Sequence, residues 1–120
     1  MANDLKKFVN FSNILADEAR LISLKYFKRK IRVKNKKKNG FDPVTVADIK
    51  IQKKLNRLIL KYFPDHSIIG EEETHTKNSA YEWCIDPIDG TKSFIHGMPL
   101  WGTLISLSKK GNIILGLADI

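Results

Sequence analysis

Cysteine is almost absent from this chain of 120 residues: Cys84 stands alone. A single thiol cannot form an internal disulfide, which fits a reducing compartment. No positioned base is visible beside it, so Cys84 is expected to be a small core residue rather than a nucleophile. Long apolar runs are also missing. None approaches the roughly 20 residues of a membrane span, and Met1 to Lys7 lacks the apolar stretch of a signal peptide. A cytoplasmic protein without membrane attachment is expected. Internal repeats and low-complexity linkers are absent too. The length suits one domain that buries about two thirds of its unfolded surface.

Acidic residues are scarce beside basic ones, 13 against 21, for a net charge of +8. The imbalance is local. Lys25, Lys28, Arg29, Lys30, Arg32, Lys34, Lys36, Lys37 and Lys38 crowd into residues 25–38. Such a run could contact nucleic-acid phosphates. Its only aromatics are Tyr26 and Phe27, however, and no nucleic-acid motif accompanies it. A solvated helix end and loop is expected, with lysines complementing the helix macrodipole. Nucleic acid is not an expected partner.

Apolar periodicity supplies the elements. Leu5, Phe8, Phe11, Leu15, Ala19, Ile22 and Tyr26 recur at steps of three and four, which predicts an amphipathic helix over 4–30 with Asn3 as N-cap. Ile31 and Val33 could start a short strand, and Asn39-Gly40 signals a turn. Thr45 and Asp48 have N-cap and N3 spacing, a capping-box variant. A second helix through Ile51, Leu55, Leu58, Ile59 and Tyr62 follows, ended by Pro64. Ser67 to Gly70 predicts a short strand feeding Glu71-Glu72-Glu73, where three adjacent acids ordinarily mean a solvated edge. Pro99 to Ser108 alternates as a strand, Lys109 to Asn112 forms a hairpin turn, and Ile113 to Leu117 returns.

The most informative stretch runs from Trp83 to Gly97. Asp86 and Asp89 are separated by Pro87, which cannot continue a ladder, and by Ile88, which leaves a carbonyl free. A kinked Asp-Pro-Ile-Asp can aim two carboxylates and one carbonyl at one spot, an all-oxygen nest for a hard cation such as Mg²⁺. Gly90 and Thr91 then sit where a helix would begin, so their N–H groups could hold a phosphate oxygen. His96 is expected to be structural or solvent-facing, since hard-oxygen ligation does not call for it.

Trp83, Asp86, Pro87, Ile88, Asp89, Gly90, Thr91 and Phe94 together resemble the W-x-x-D-P-I-D-G-T-x-x-F signature of the inositol monophosphatase superfamily. Asp42-Pro43-Val44-Thr45-Val46-Ala47-Asp48 resembles its D-P-V-T-x-A-D segment, and Gly70-Glu71-Glu72 its G-E-E element. The resemblance implies an α+β layered sugar-phosphatase-type fold, two helices on a largely antiparallel sheet, the N-terminal half of an αβαβα sandwich. It implies Mg²⁺ held by Glu71, Asp86, Asp89 and the Ile88 carbonyl, phosphate held by Asp89, Gly90 and Thr91, and water activated by Thr91 with Asp48. Three carboxylates at one point repel and need a cation.

The implied activity is hydrolysis of a small phosphorylated metabolite. Residues 97–104, Gly-Met-Pro-Leu-Trp-Gly-Thr-Leu, and the opening Phe41 to Thr45 look most like the histidinol-phosphate phosphatase branch. Inositol phosphate and other sugar phosphates are the alternatives, because the catalytic motifs are shared. Family members carry a further metal-binding aspartate in a W-D-x-A element. Trp83 is followed by Cys84 and Trp101 by Gly102, so that element is absent here. The chain is therefore expected to be the N-terminal metal-binding half, residues 1–120, without the C-terminal α/β half, and the full-length form to be a homo-oligomer. A truncated, inactive module that binds nucleic acid or a partner through residues 25–38 is the rival from another class.

Overall fold

The computed structural model describes residues 2–27, 33–35, 43–70, 73–96 and 101–119. The elements run α1 (Ala2–Tyr26), β1 (Val33–Asn35), β2 (Pro43–Thr45), α2 (Val46–Tyr62), β3 (Ser67–Gly70), β4 (Tyr81–Asp89), α3 (Thr91–Ile95), β5 (Gly102–Lys109) and β6 (Asn112–Asp119). Four strands form a sheet in the order β3-β4-β5-β6. β3 pairs parallel with β4, and the other neighbours are antiparallel. β1 and β2 make a separate two-stranded ribbon. The expected α+β architecture, helices on a largely antiparallel sheet, is the one observed.

Phe8, Phe11, Leu15 and Ala19 of α1 are buried at steps of three and four, against Ile51, Leu55 and Ile59 of α2 and Trp83, Ile85, Ile105 and Leu107 of the sheet. Leu5 departs from the expected stripe and is exposed. The helix already includes Ala2, so Asn3 lies within the first turn rather than at the cap. Much of the basic run, residues 28–32 and 36–38, lies outside the described residues. Far along the chain, Arg20 clasps Asp119 of β6 with two parallel bonds, Nη2 to Oδ1 at 2.8 Å and Nε to Oδ2 at 3.1 Å. The strand pair β5–β6 turns at Lys110 and Gly111, with φ of 51° and 82°. Two consecutive left-handed residues match the twist of a tight hairpin.

Cys84 is the main correction. It is exposed, not a core residue. Strand alternation explains this: Trp83 and Ile85 face the helices, so Cys84 between them faces away. Ile69 pairs with Cys84, and Ile69 is likewise exposed on that outer face.

At the far side of the core, His66 lies between Phe63 and Tyr81, with ring centroids 4.7 Å and 4.8 Å away. The Trp83 indole N–H donates to His66 Nδ1 at 3.1 Å. That bond requires a neutral imidazole protonated on Nε2. Burial pushes the His66 pKa down and Lys7 adds to this, while Asp65 opposes it. A histidine depressed by folding stabilises the protein fully above its unfolded pKa of about 6.5, and that stability is lost as the pH falls through the lower folded value. Acidification should therefore lower the melting temperature of the parent. His66→Phe should flatten the histidine part of that slope, as thermal denaturation across the range would record. An equal slope in both proteins would remove His66 as its source.

Candidate metal and phosphate site

Residues three apart on a regular strand point to opposite faces. Asp86 and Asp89 escape that rule through a register shift. Asp86 pairs with Leu104 and Asp89 with Gly102. Between those pairs β4 has two residues, Pro87 and Ile88, whereas β5 has only Thr103. Two residues opposing one is a bulge, and bulges re-aim side chains next to functional sites. Leu104 and Gly102 share a face of β5, so the bulge brings Asp86 and Asp89 to the same face of β4. Asp86 is half-buried there and Asp89 is exposed at the strand end.

Proline explains why the ladder gives way here, since it has no N–H to donate. The two carbonyls in the bulge find other donors. Thr103 Oγ1 donates to the Pro87 carbonyl at 2.8 Å, and Thr91 Oγ1 donates to the Ile88 carbonyl at 2.9 Å. Gly90 follows with φ of 87°, a conformation natural to glycine, and turns the chain into the single turn of α3.

The N-terminus of α2 brings the second half of the constellation. Thr45 is the N-cap, and the capping box with Asp48 is complete. Thr45 N–H and Thr45 Oγ1 donate to Asp48 Oδ2 at 2.9 Å and 2.6 Å, while Asp48 N–H donates to Thr45 Oγ1 at 3.3 Å. The other oxygen, Asp48 Oδ1, lies 3.4 Å from Thr91 Oγ1. Capping and contact with Thr91 therefore use different oxygens of one carboxylate. Burial pushes the Asp48 carboxyl above its ordinary pKa, against the bonds from Thr45 and Thr91. A raised pKa makes a carboxylate a better proton acceptor.

Thr91 thus touches both Asp48 and Ile88, with Asp86, Asp89 and Gly90 on the adjoining strand end and turn. Glu71 lies outside the described residues, and among the described residues no three His, Cys, Asp or Glu side chains gather. The donors that are described, two carboxylates and a backbone carbonyl, are hard oxygens that fit Mg²⁺ and not a soft metal. His96 is exposed, as expected.

Sequence reasoning missed a polar support behind the glutamate segment. Gln52 Nε2 donates to Asn56 Oδ1 at 2.8 Å, and Asn56 Nδ2 donates to Glu73 Oε2 at 3.3 Å. Both amides are buried on the inner stripe of α2. Two amides four residues apart among Ile51, Leu55 and Ile59 were the available signal. Gly70 leaves no room for a side chain: an added Cβ would collide with the Gln52 amide and the Glu73 carbonyl. Gly70→Ala should therefore displace the stretch around Gly70 and Glu73 and cost about 1–3 kcal/mol, the usual scale of overpacking. An unchanged melting temperature would show that the neighbours yield freely.

The Inositol monophosphatase family model matches residues 4–119. The chain belongs to the inositol monophosphatase family. Over 119 residues it is 41% identical to the bifunctional phosphatase IMPL2, chloroplastic, of Arabidopsis thaliana, covering 97% of this chain and 34% of that protein. It is 41% identical over 107 residues to a histidinol-phosphatase of Chlorobaculum parvum, covering 88% of this chain and 40% of the relative. Among solved structures it is similar to the Thermotoga maritima IMPase, with a TM-score of 0.84, 34% identity, and coverage of 93% of this chain and 43% of the other. The chain thus spans roughly two fifths of the length of these family members. No helix among the described residues is long and apolar enough to cross a membrane.

Proposed function

We propose that the intact protein is a Mg²⁺-dependent phosphomonoesterase of the inositol monophosphatase family, acting on a small phosphorylated metabolite, with histidinol phosphate the first candidate. The observation that carries the chemistry is the convergence on Thr91: its hydroxyl touches the Ile88 carbonyl beside the paired aspartates and the buried carboxylate of Asp48. Support for histidinol phosphate comes from the relative of that name and from residues 97–104. A fructose-1,6-bisphosphatase/inositol-1-monophosphatase of Aquifex aeolicus, 32% identical over 94% of this chain, supports an inositol or sugar phosphate instead.

Glu71, Asp86, Asp89 and the Ile88 carbonyl would hold the metal, which when bound supplies Lewis-acid polarisation of the phosphate and a more acidic water. The chain's own residues do the rest. Thr91 Oγ1 orients the attacking water: its hydroxyl turns from the Ile88 carbonyl to Asp48 Oδ1, gives that oxygen its proton and takes the proton of the water in return. Asp48 stays in place during this because Thr45 grips its other oxygen. The Gly90 and Thr91 N–H groups steady the phosphoryl oxygens.

Phosphate release from histidinol phosphate, inositol phosphate and fructose bisphosphate, each with Mg²⁺ and with chelator, tests the assignment. Metal-dependent turnover with a clear preference for histidinol phosphate is expected. Turnover that survives chelation would refute the metal-dependent chemistry. Preference for another phosphate would reassign the substrate alone.

A further inference from the structure

We infer that Thr103 is a positioning residue for the metal site: its hydroxyl holds the Pro87–Ile88 peptide in the orientation that keeps Asp86 and Asp89 on one face. The inference rests on the metal-binding role proposed above for those aspartates.

Thr103 is 2% exposed and occupies the inward-facing row of β5 with Ile105 and Leu107, where an apolar residue would ordinarily sit. A hydroxyl in such a place costs stability unless it is bonded. Its bond goes to the Pro87 carbonyl at 2.8 Å. The choice of partner is informative. Thr103 is the single β5 residue that faces the two bulged residues of β4. Pro87 is buried, and a buried carbonyl needs a donor.

Geometry then carries the effect forward. Fixing the Pro87 carbonyl fixes the plane of the peptide that it shares with the Ile88 nitrogen. The next carbonyl, that of Ile88, is held separately by Thr91. The bulge is therefore pinned at two consecutive carbonyls, by Thr103 from within the sheet and by Thr91 from α3. Releasing the inner pin lets the bulge relax, and a one-residue slip would turn Asp89 to the opposite face. Valine fills nearly the same volume as threonine but cannot donate, so the fold should survive its introduction.

The test compares the parent with Thr103→Val, Thr103→Ser and Asp89→Asn in the intact protein. Mg²⁺ affinity is measured by calorimetry, alongside the melting temperature with and without Mg²⁺. Thr103→Val should weaken Mg²⁺ binding by roughly 10–100-fold, the scale of lost outer-shell support, and should shrink the Mg²⁺-induced rise in melting temperature. Thr103→Ser keeps the donor and should bind nearly as the parent does. A valine variant with a lower melting temperature but parental Mg²⁺ affinity would overturn the inference and leave Thr103 a purely structural residue. If the valine variant does not fold, a serine variant with tenfold weakened binding would overturn it equally. Parental Mg²⁺ binding by Asp89→Asn would instead strike at the metal-site assignment itself, and the inference would fall with it.

Discussion

Replacing Asp89 with asparagine is expected to abolish Mg²⁺-dependent phosphate release by the intact protein while leaving it folded. The amide keeps the shape of the side chain but loses the charge that a hard cation requires. Asp89 is exposed at the end of β4, so little packing is lost with it. Removing one of two carboxylates from the same face also relieves repulsion in the metal-free protein. The loss of activity should exceed the roughly 10²–10³-fold seen for a single stabilising donor, because binding and polarisation fail together. Circular dichroism and melting should remain close to the parent. Activity within tenfold of the parent at saturating Mg²⁺ would sink the role assigned to Asp89.

Thr91→Ala should act differently. The hydroxyl bonds the Ile88 carbonyl and lies against Asp48, so its loss would remove the proposed link between water and base. Turnover should fall by roughly 10²–10⁴-fold, the scale of general-base assistance. Mg²⁺ affinity should fall less, because the carboxylates are untouched and Thr103 still pins the neighbouring carbonyl. Single-turnover kinetics and calorimetry separate the two effects. Normal chemistry with lost Mg²⁺ binding would show that Thr91 serves the bulge and not the water.

Much of the local geometry was legible in the sequence. Asp86-Pro87-Ile88-Asp89 announced a kink because proline cannot serve a ladder, and Thr45 with Asp48 announced a cap that the structure realises in full. What the sequence did not reveal depends on partners distant along the chain. The bulge exists only relative to Gly102 and Leu104, and its inner pin is Thr103, sixteen residues from Pro87. Cys84 was misplaced because an apolar run does not say which of its residues faces the helices. The neighbouring pairings on the sheet decide that, and they place Cys84 outward beside Ile69. The amides of Gln52 and Asn56 were visible on the apolar stripe of α2, but their meaning depended on Gly70 and Glu73 being folded against them.

The clasp between Arg20 and Asp119 has a consequence for how the chain is made. Its two residues are 99 positions apart. At about 5–20 residues per second, translation leaves roughly 5–20 s between the emergence of the first and the last. During that interval α1 can meet α2 first, and the strands that cover its sheet-facing side are added one after another, with β6 last. Phe8, Phe11 and Leu15 are therefore covered in steps, by α2 before Trp83 of β4 and then Ile105 and Leu107 of β5.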